Sequence, residues 1–310
     1  VIRPIQKDTV IRTIKARKRQ FDPHAVEKST LGVDGRLAGR FNNLVLRSVY
    51  QPVFNVVQKQ VAGYEALVRP VEKGTPVPAD ELFRAPRAEA ETVFLDRLAR
   101  YIHVSNFLTL GDRDGLLFLN VSPVAIIRGP AYGTFFQGLL DRFGMPPERV
   151  VIEVGENPTA ETEGARLSDA VNYYRDLGCL VALDDFGAGH SNFERIWSLK
   201  PDIVKVARSM LTRAGDLSDR ENILQGIVGL LQQSGSQVVL EGVETEADAY
   251  RALASGADFV QGRYFASPSE EPLTGLEEAS LLFDSLLERR GSGSGIVERR
   301  TTLHPGSAAG

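Results

Sequence analysis

The chain has 310 residues, 43% hydrophobic and 25% charged, with a formal net charge of −4. That supplies enough apolar material for a sizeable core and gives no electrostatic case for duplex nucleic acid as a partner. The single cysteine, Cys179, excludes an internal disulfide and any multi-cysteine metal site.

No apolar run is long enough to span a bilayer and no signal peptide is recognisable, so the cytoplasm is the expected location. The chain opens with Val1 rather than Met, which leaves room for an upstream sensory or regulatory domain. Residues 1–40 read as a basic and polar extension: the first twenty carry seven Lys or Arg against one Asp. No aromatic or apolar face accompanies that charge, so a solvated linker is expected rather than a nucleic-acid or juxtamembrane arm. Residues 41–289 read as the folded domain, and 290–310, rich in Gly and Ser, as a disordered tail.

Within 41–289 strand-like and helix-like segments alternate. VYQPVFNVV and VAGYEALVR read as two strands joined by a short polar turn. Phe94, Leu95, Leu98, Tyr101 and Ile102 fall on one helical face. The strand GLLFLNV, a helix and the strand RVVIEV follow. Leu167, Ala170, Val171, Tyr174 and Leu177 form another helical stripe, stopped by Gly178 before the strand LVALDD. DIVKVA comes next, then a helix carrying Ile223, Leu224, Ile227, Val228 and Leu231, then SQVVLEG, a last helix, and DFVQGRYF. Eight strands with intervening helices predict a (β/α)8 barrel, with a doubly wound open sheet as the alternative.

The strand ends are polar. Glu65, Asn120, Glu153, Asp184, Lys205 and Glu241 each stand at or near the end of an apolar run. The Asp184-Asp185 pair alone fits a helix cap as well as a cation site. Six such residues in register fit caps poorly, and parallel strands would bring them to one rim of a barrel, where active sites sit. Four acids with an Asn and a Lys make an oxygen-rich set suited to Mg²⁺ or Mn²⁺ rather than Zn²⁺.

Seven motifs in order, over residues 50–268, resemble an EAL domain: Glu65-Ala66-Leu67 with Val68-Arg69, Asn120-Val121-Ser122, Glu153 with Glu156, LDDFGAGHS, KPDIVK, LEGVET and QGRYFASP. The resemblance implies a barrel whose first strand runs antiparallel, and hydrolysis of cyclic di-GMP to linear 5′-pGpG or its binding without cleavage. It further implies two metal ions. Glu65, Asn120, Glu153 and Asp184 would hold one, and Asp184, Asp185 and Glu241 would hold or position the other. Lys205 would orient the attacking water, and Gln51, Leu67, Arg69 and Gln261 would line the substrate groove. Glu156 and Glu244 would support the loop after the fifth strand, and a homodimer contact is expected in that region. Three positions depart from the family pattern: Gly155 where threonine is usual, His190 where an aromatic is usual, and Ala207 where an acid commonly follows the lysine by two.

Overall fold

The computed structural model describes residues 23–110, 115–128, 134–155, 164–188, 193–212, 217–271 and 283–286. Its strands are β1 (Thr30–Val33), β2 (Arg36–Phe41), β3 (Leu44–Asn55), β4 (Gln60–Glu72), β5 (Thr75–Pro76), β6 (Leu116–Val121), β7 (Val150–Gly155), β8 (Leu180–Phe186), β9 (Ile203–Val206), β10 (Gln237–Leu240) and β11 (Phe259–Val260). Eight of them close a barrel in the order β3-β4-β6-β7-β8-β9-β10-β11, with β11 pairing back onto β3. This closure excludes the open doubly wound sheet.

β3 is antiparallel to both its neighbours, β4 and β11, whereas β4 and β6 through β11 run parallel. The cause is local. Only residues 56–59 separate β3 from β4, too few for the crossover that a parallel pair needs. Asn55 sets the turn by accepting, through Oδ1, the N–H groups of Val57 and Gln58 at 3.0 and 2.7 Å.

The stretch read as a polar extension contributes to this sheet: β1 and β2 continue it antiparallel from the first half of β3. Of the two, β2 lies against the helix Glu89–Phe107. Asn106 clamps Leu37 by accepting its N–H at 2.8 Å and donating to its carbonyl at 2.7 Å, and Phe41 stacks on Phe94. Gly39 is required there, because a Cβ would come within 2.9 Å of Leu98. Residues 1–22 and 287–310 lie outside the described residues. No helix among the described residues is long and apolar enough to cross a membrane.

Apolar side chains pack in two regions. Val53, Phe118, Val151, Ala182, Ile203, Val239 and Phe259 fill the barrel interior, while a larger shell, including Leu98, Ile102, Leu119, Ile152, Leu183 and Leu240, lies between sheet and helices. Within the shell His103 is buried. Its Nδ1 is 2.7 Å from Ser48 Oγ, and its carbonyl accepts the Tyr50 hydroxyl at 2.7 Å. Burial pushes the imidazole pKa down to about 3 against the opposing pull of the Glu65 charge. An unfolded chain takes up this proton near pH 6.5 and the native one near 3, so stability should fall as pH drops through that window. The slope is at most about 1.4 kcal/mol per pH unit. Urea unfolding should therefore show a flatter acid dependence in His103→Gln than in the parent, and equal slopes would remove His103 as its source.

Candidate functional site

The barrel floor and its polar rim follow from one periodicity. Residues two apart on a strand share a face, so each interior apolar residue is followed by a polar one above it. The pairs are Phe118 and Asn120, Val151 and Glu153, Ala182 and Asp184, Ile203 and Lys205, Val239 and Glu241, and Phe259 and Gln261. On β4 the residue below Glu65 is Gly63, where a Cβ would lie 2.5 Å from the Leu116 carbonyl oxygen, so no side chain fits. Register aligns the set laterally, with Gln51 opposite Glu65 and Asn120 opposite Glu153.

Two adjacent aspartates on a regular strand would face opposite sides. Here the β8–β9 pairing runs from Leu183–Val204 to Phe186–Val206, three residues against two, and the extra residue makes a bulge. Asp185 sits there in the left-handed region at φ 58°, and its N–H donates to Asp184 Oδ1 at 2.9 Å. The bulge brings carboxylate oxygens of Asp184 and Asp185 and one of Glu241 within 4.8 Å of one another.

Lys205, 1% exposed, is the electrostatic centre. Its Nζ lies 2.5 Å from Glu153, 2.6 Å from Glu241, 3.3 Å from Glu65 and 3.5 Å from Asp184. Burial alone would lower its pKa, but the four carboxylates, Asp184 foremost, hold it well above the usual lysine range. Burial raises the Glu65 carboxyl, but Lys205 and hydrogen bonds from Gln261 and Asn120, each 2.8 Å long, outweigh it and leave the pKa below ordinary. Glu153 and Glu241 go the other way. Burial pushes both well above the carboxylate range; Lys205 offsets only part of this, and the neighbouring acids add to it.

The cluster holds more negative charge than one ammonium neutralises. Glu153, 1% exposed, has no hydrogen-bond donor to either carboxylate oxygen; its approach to Lys205 is a charge contact whose angles do not make a hydrogen bond. Its one cationic partner is shared with three other acids, so a further cation would complete its surroundings. An all-oxygen donor set from Glu65, Asn120, Glu153, Asp184, Asp185 and Glu241 fits a hard divalent ion.

The remaining expected residues are distributed around this centre. Gln51 donates to the Ala266 carbonyl at 3.1 Å, tying β3 to the turn after β11. Leu67 is half-buried on β4, two residues above Glu65, and Arg69 is exposed two residues higher, donating to the Val68 carbonyl. Glu244 pairs with Arg208 at 2.9 Å, just beyond Ala207, while the adjacent Ser209 donates to the Gly187 carbonyl in the loop after β8. Gly155 accepts from Arg195 at 2.8 Å. Glu156 and His190 lie outside the described residues. Sequence reasoning passed over Arg208 and Arg263. The second stands two residues beyond Gln261 in a motif already singled out.

A closed barrel with a carboxylate-rich rim at the C-terminal ends of its parallel strands defines an α/β barrel with an acidic cluster where barrel active sites sit. The model for the EAL domain matches residues 36–268, and the chain belongs to that family. It is 30% identical over 162 residues to the cyclic di-GMP phosphodiesterase RocR of Pseudomonas aeruginosa, an alignment covering 52% of this chain and 41% of RocR. It is 28% identical over 226 residues to the EAL-domain protein YkuI of Bacillus subtilis, covering 71% of this chain and 54% of YkuI. The chain thus spans about half or less of the length of these relatives. Among solved structures, YkuI in complex with cyclic di-GMP and calcium superposes with a TM-score of 0.69 at 25% identity, over 80% of this chain and 62% of that one. A standalone EAL protein from Vibrio cholerae O395, also bound to cyclic di-GMP, gives 0.65 at 27% identity, over 72% and 92%.

Proposed function

We propose that this chain hydrolyses one phosphodiester of cyclic di-GMP to 5′-pGpG, using two divalent cations, Mg²⁺ or Mn²⁺, in the cytoplasm. The observation that carries the reading is Glu153: a fully buried carboxyl without hydrogen-bond donors, whose Lys205 contact is shared with three other acids, amid a set that includes every carboxylate the resemblance assigns to the metals. The named activity of RocR and the ligands of the solved EAL structures support the same reading.

Glu65, Asn120, Glu153 and Asp184 would hold one cation, and Asp184, Asp185 and Glu241 the second. Such a pair supplies Lewis acidity at the phosphate and a hydroxide-like nucleophile at neutral pH. Lys205, kept protonated by its carboxylates, serves as donor and counter-charge at the attacking water, not as its base. Asn120 and Gln261 hold the Glu65 carboxylate from either side, so it presents a fixed orientation. Gln51, Leu67, Arg69 and Gln261 line the groove. Glu156 and Glu244 support the loop after β8. A homodimer contact is proposed for the same region, where Trp197 is 73% exposed on the helix Phe193–Leu199.

A second reading, a receptor that binds cyclic di-GMP without cleaving it, is favoured by Ala207. This buried residue follows β9, donating its N–H to the Phe186 carbonyl at 3.0 Å, where the family pattern has an acid. Loss of one supporting group typically costs about 10–100-fold. Slow turnover is the expected outcome, with Ala207→Asp raising it roughly tenfold. Purified chain incubated with cyclic di-GMP and each metal, with products separated by chromatography, decides the matter. Tight binding with no 5′-pGpG, and no gain in Ala207→Asp, would establish the receptor.

A further inference from the structure

Arg69 and Arg263 stand on the two strands' ends that flank β3. Arg69 lies four residues above Glu65 on β4, and Arg263 two residues beyond Gln261 after β11, so both rise from residues hydrogen-bonded to each other at 2.8 Å. Both are exposed, and neither forms an ion pair among the described residues. Their charges nonetheless reach each other: after burial, which lowers it, the Arg69 pKa is raised by Glu65 and lowered again by Arg263. Two exposed arginines on either side of β3, neither in an ion pair among the described residues and both at an otherwise acidic rim, make a place for an anion.

The turn that presents Arg263 is rigid. Gln261 N–H donates to the Leu240 carbonyl at 2.9 Å, Val243 N–H to Gln261 at 3.1 Å and Tyr264 N–H to Val243 at 3.0 Å. Gly262 packs so closely that a Cβ would lie 2.0 Å from the Val243 carbonyl oxygen. Position around the barrel is decisive. In the closed order β3-β4-β6-β7-β8-β9-β10-β11, β8 is four strands from β3 in either direction, so the strand ends that carry Arg69 and Arg263 lie across the mouth from the Asp184-Asp185 bulge. One anionic group can sit over the carboxylate-held cations while a second meets the arginines.

We propose that Arg263 is a substrate-binding residue which, with Arg69, grips the phosphate of the cyclic dinucleotide that is not cleaved, and so selects a ligand with two phosphodiesters over one with a single phosphodiester. This rests on the functional reading above. A phosphate held by two guanidiniums gains charge-assisted hydrogen bonds that one alone cannot supply.

The test compares the parent with Arg263→Ala and Arg263→Lys on two substrates, cyclic di-GMP and bis(p-nitrophenyl) phosphate, with calorimetric binding of cyclic di-GMP in parallel. In Arg263→Ala, KM and Kd for cyclic di-GMP should rise about tenfold, kcat should change little, and cleavage of the single phosphodiester should be unaffected. Arg263→Lys should fall between. Unchanged KM and Kd in Arg263→Ala, or an equal loss on both substrates, would overturn the assignment. If the parent binds cyclic di-GMP without cleaving it, the hydrolase reading fails while the Kd comparison still judges Arg263. If the parent does not bind it, both fall.

Discussion

Glu65→Ala is expected to bring cyclic di-GMP turnover below detection, a loss well beyond the roughly 10–100-fold that removal of a supporting group costs. Glu65 accepts from Asn120 and Gln261 and lies 3.3 Å from Lys205. Truncation therefore removes a proposed cation ligand and strands the buried Gln261 amide, at a cost of about 1–3 kcal/mol, while the exposed Asn120 amide can turn to water. Glu65→Gln separates the two effects: it keeps an acceptor and the shape but loses the charge. If the carboxylate is a ligand, Gln should be as inactive as Ala while unfolding closer to the parent in urea. Activity retained in Glu65→Gln would show that its role is only to fix the two amides.

The second large effect concerns Lys205. In Lys205→Met the carboxylates of Glu65, Glu153, Asp184 and Glu241 lose their shared counter-charge, and breaking a buried charge arrangement from one side typically costs about 3–5 kcal/mol. For a chain of this size that lowers Tm by roughly 5–8 °C. The sign with pH follows from Glu153 and Glu241, whose native pKa values already lie well above the ordinary 4.5. The native state holds protons there that the unfolded state has released, so without divalent cations stability declines as pH rises past 4.5. Lys205 restrains that rise; its loss should extend the decline to higher pH. Thermal unfolding in chelator should thus show a deficit for Lys205→Met that is large in mild alkali and small in mild acid, and Mg²⁺ or Mn²⁺ should recover more of it than they add to the parent. An unchanged Tm in alkaline chelator would mean that the carboxylates do not depend on Lys205.

Much of the site was legible because strand periodicity is local. An apolar residue followed two positions later by Asn120, Glu153, Asp184, Lys205, Glu241 or Gln261 marks the same face of six strands, and the short turn after Asn55 is enough to make the first two strands antiparallel. β1 and β2 were not legible: Leu37, Ala38 and Phe41 are set among Arg36, Gly39 and Arg40, and only the surface of the helix Glu89–Phe107 gives that short pattern something to bury against.

The chain order of apolar runs, polar strand ends and glycine stops determined the barrel class and named nearly every residue of the rim. Tertiary structure decided what those residues do to one another. Closure of β11 onto β3 brings Gln261 to Glu65 across 196 positions, and a bulge in β8 turns two consecutive aspartates toward one centre. Neither is encoded by spacing alone, since a strand's period says which side chains share a face but not which strands meet, and a carboxylate's charge state depends on the ammonium and the burial around it.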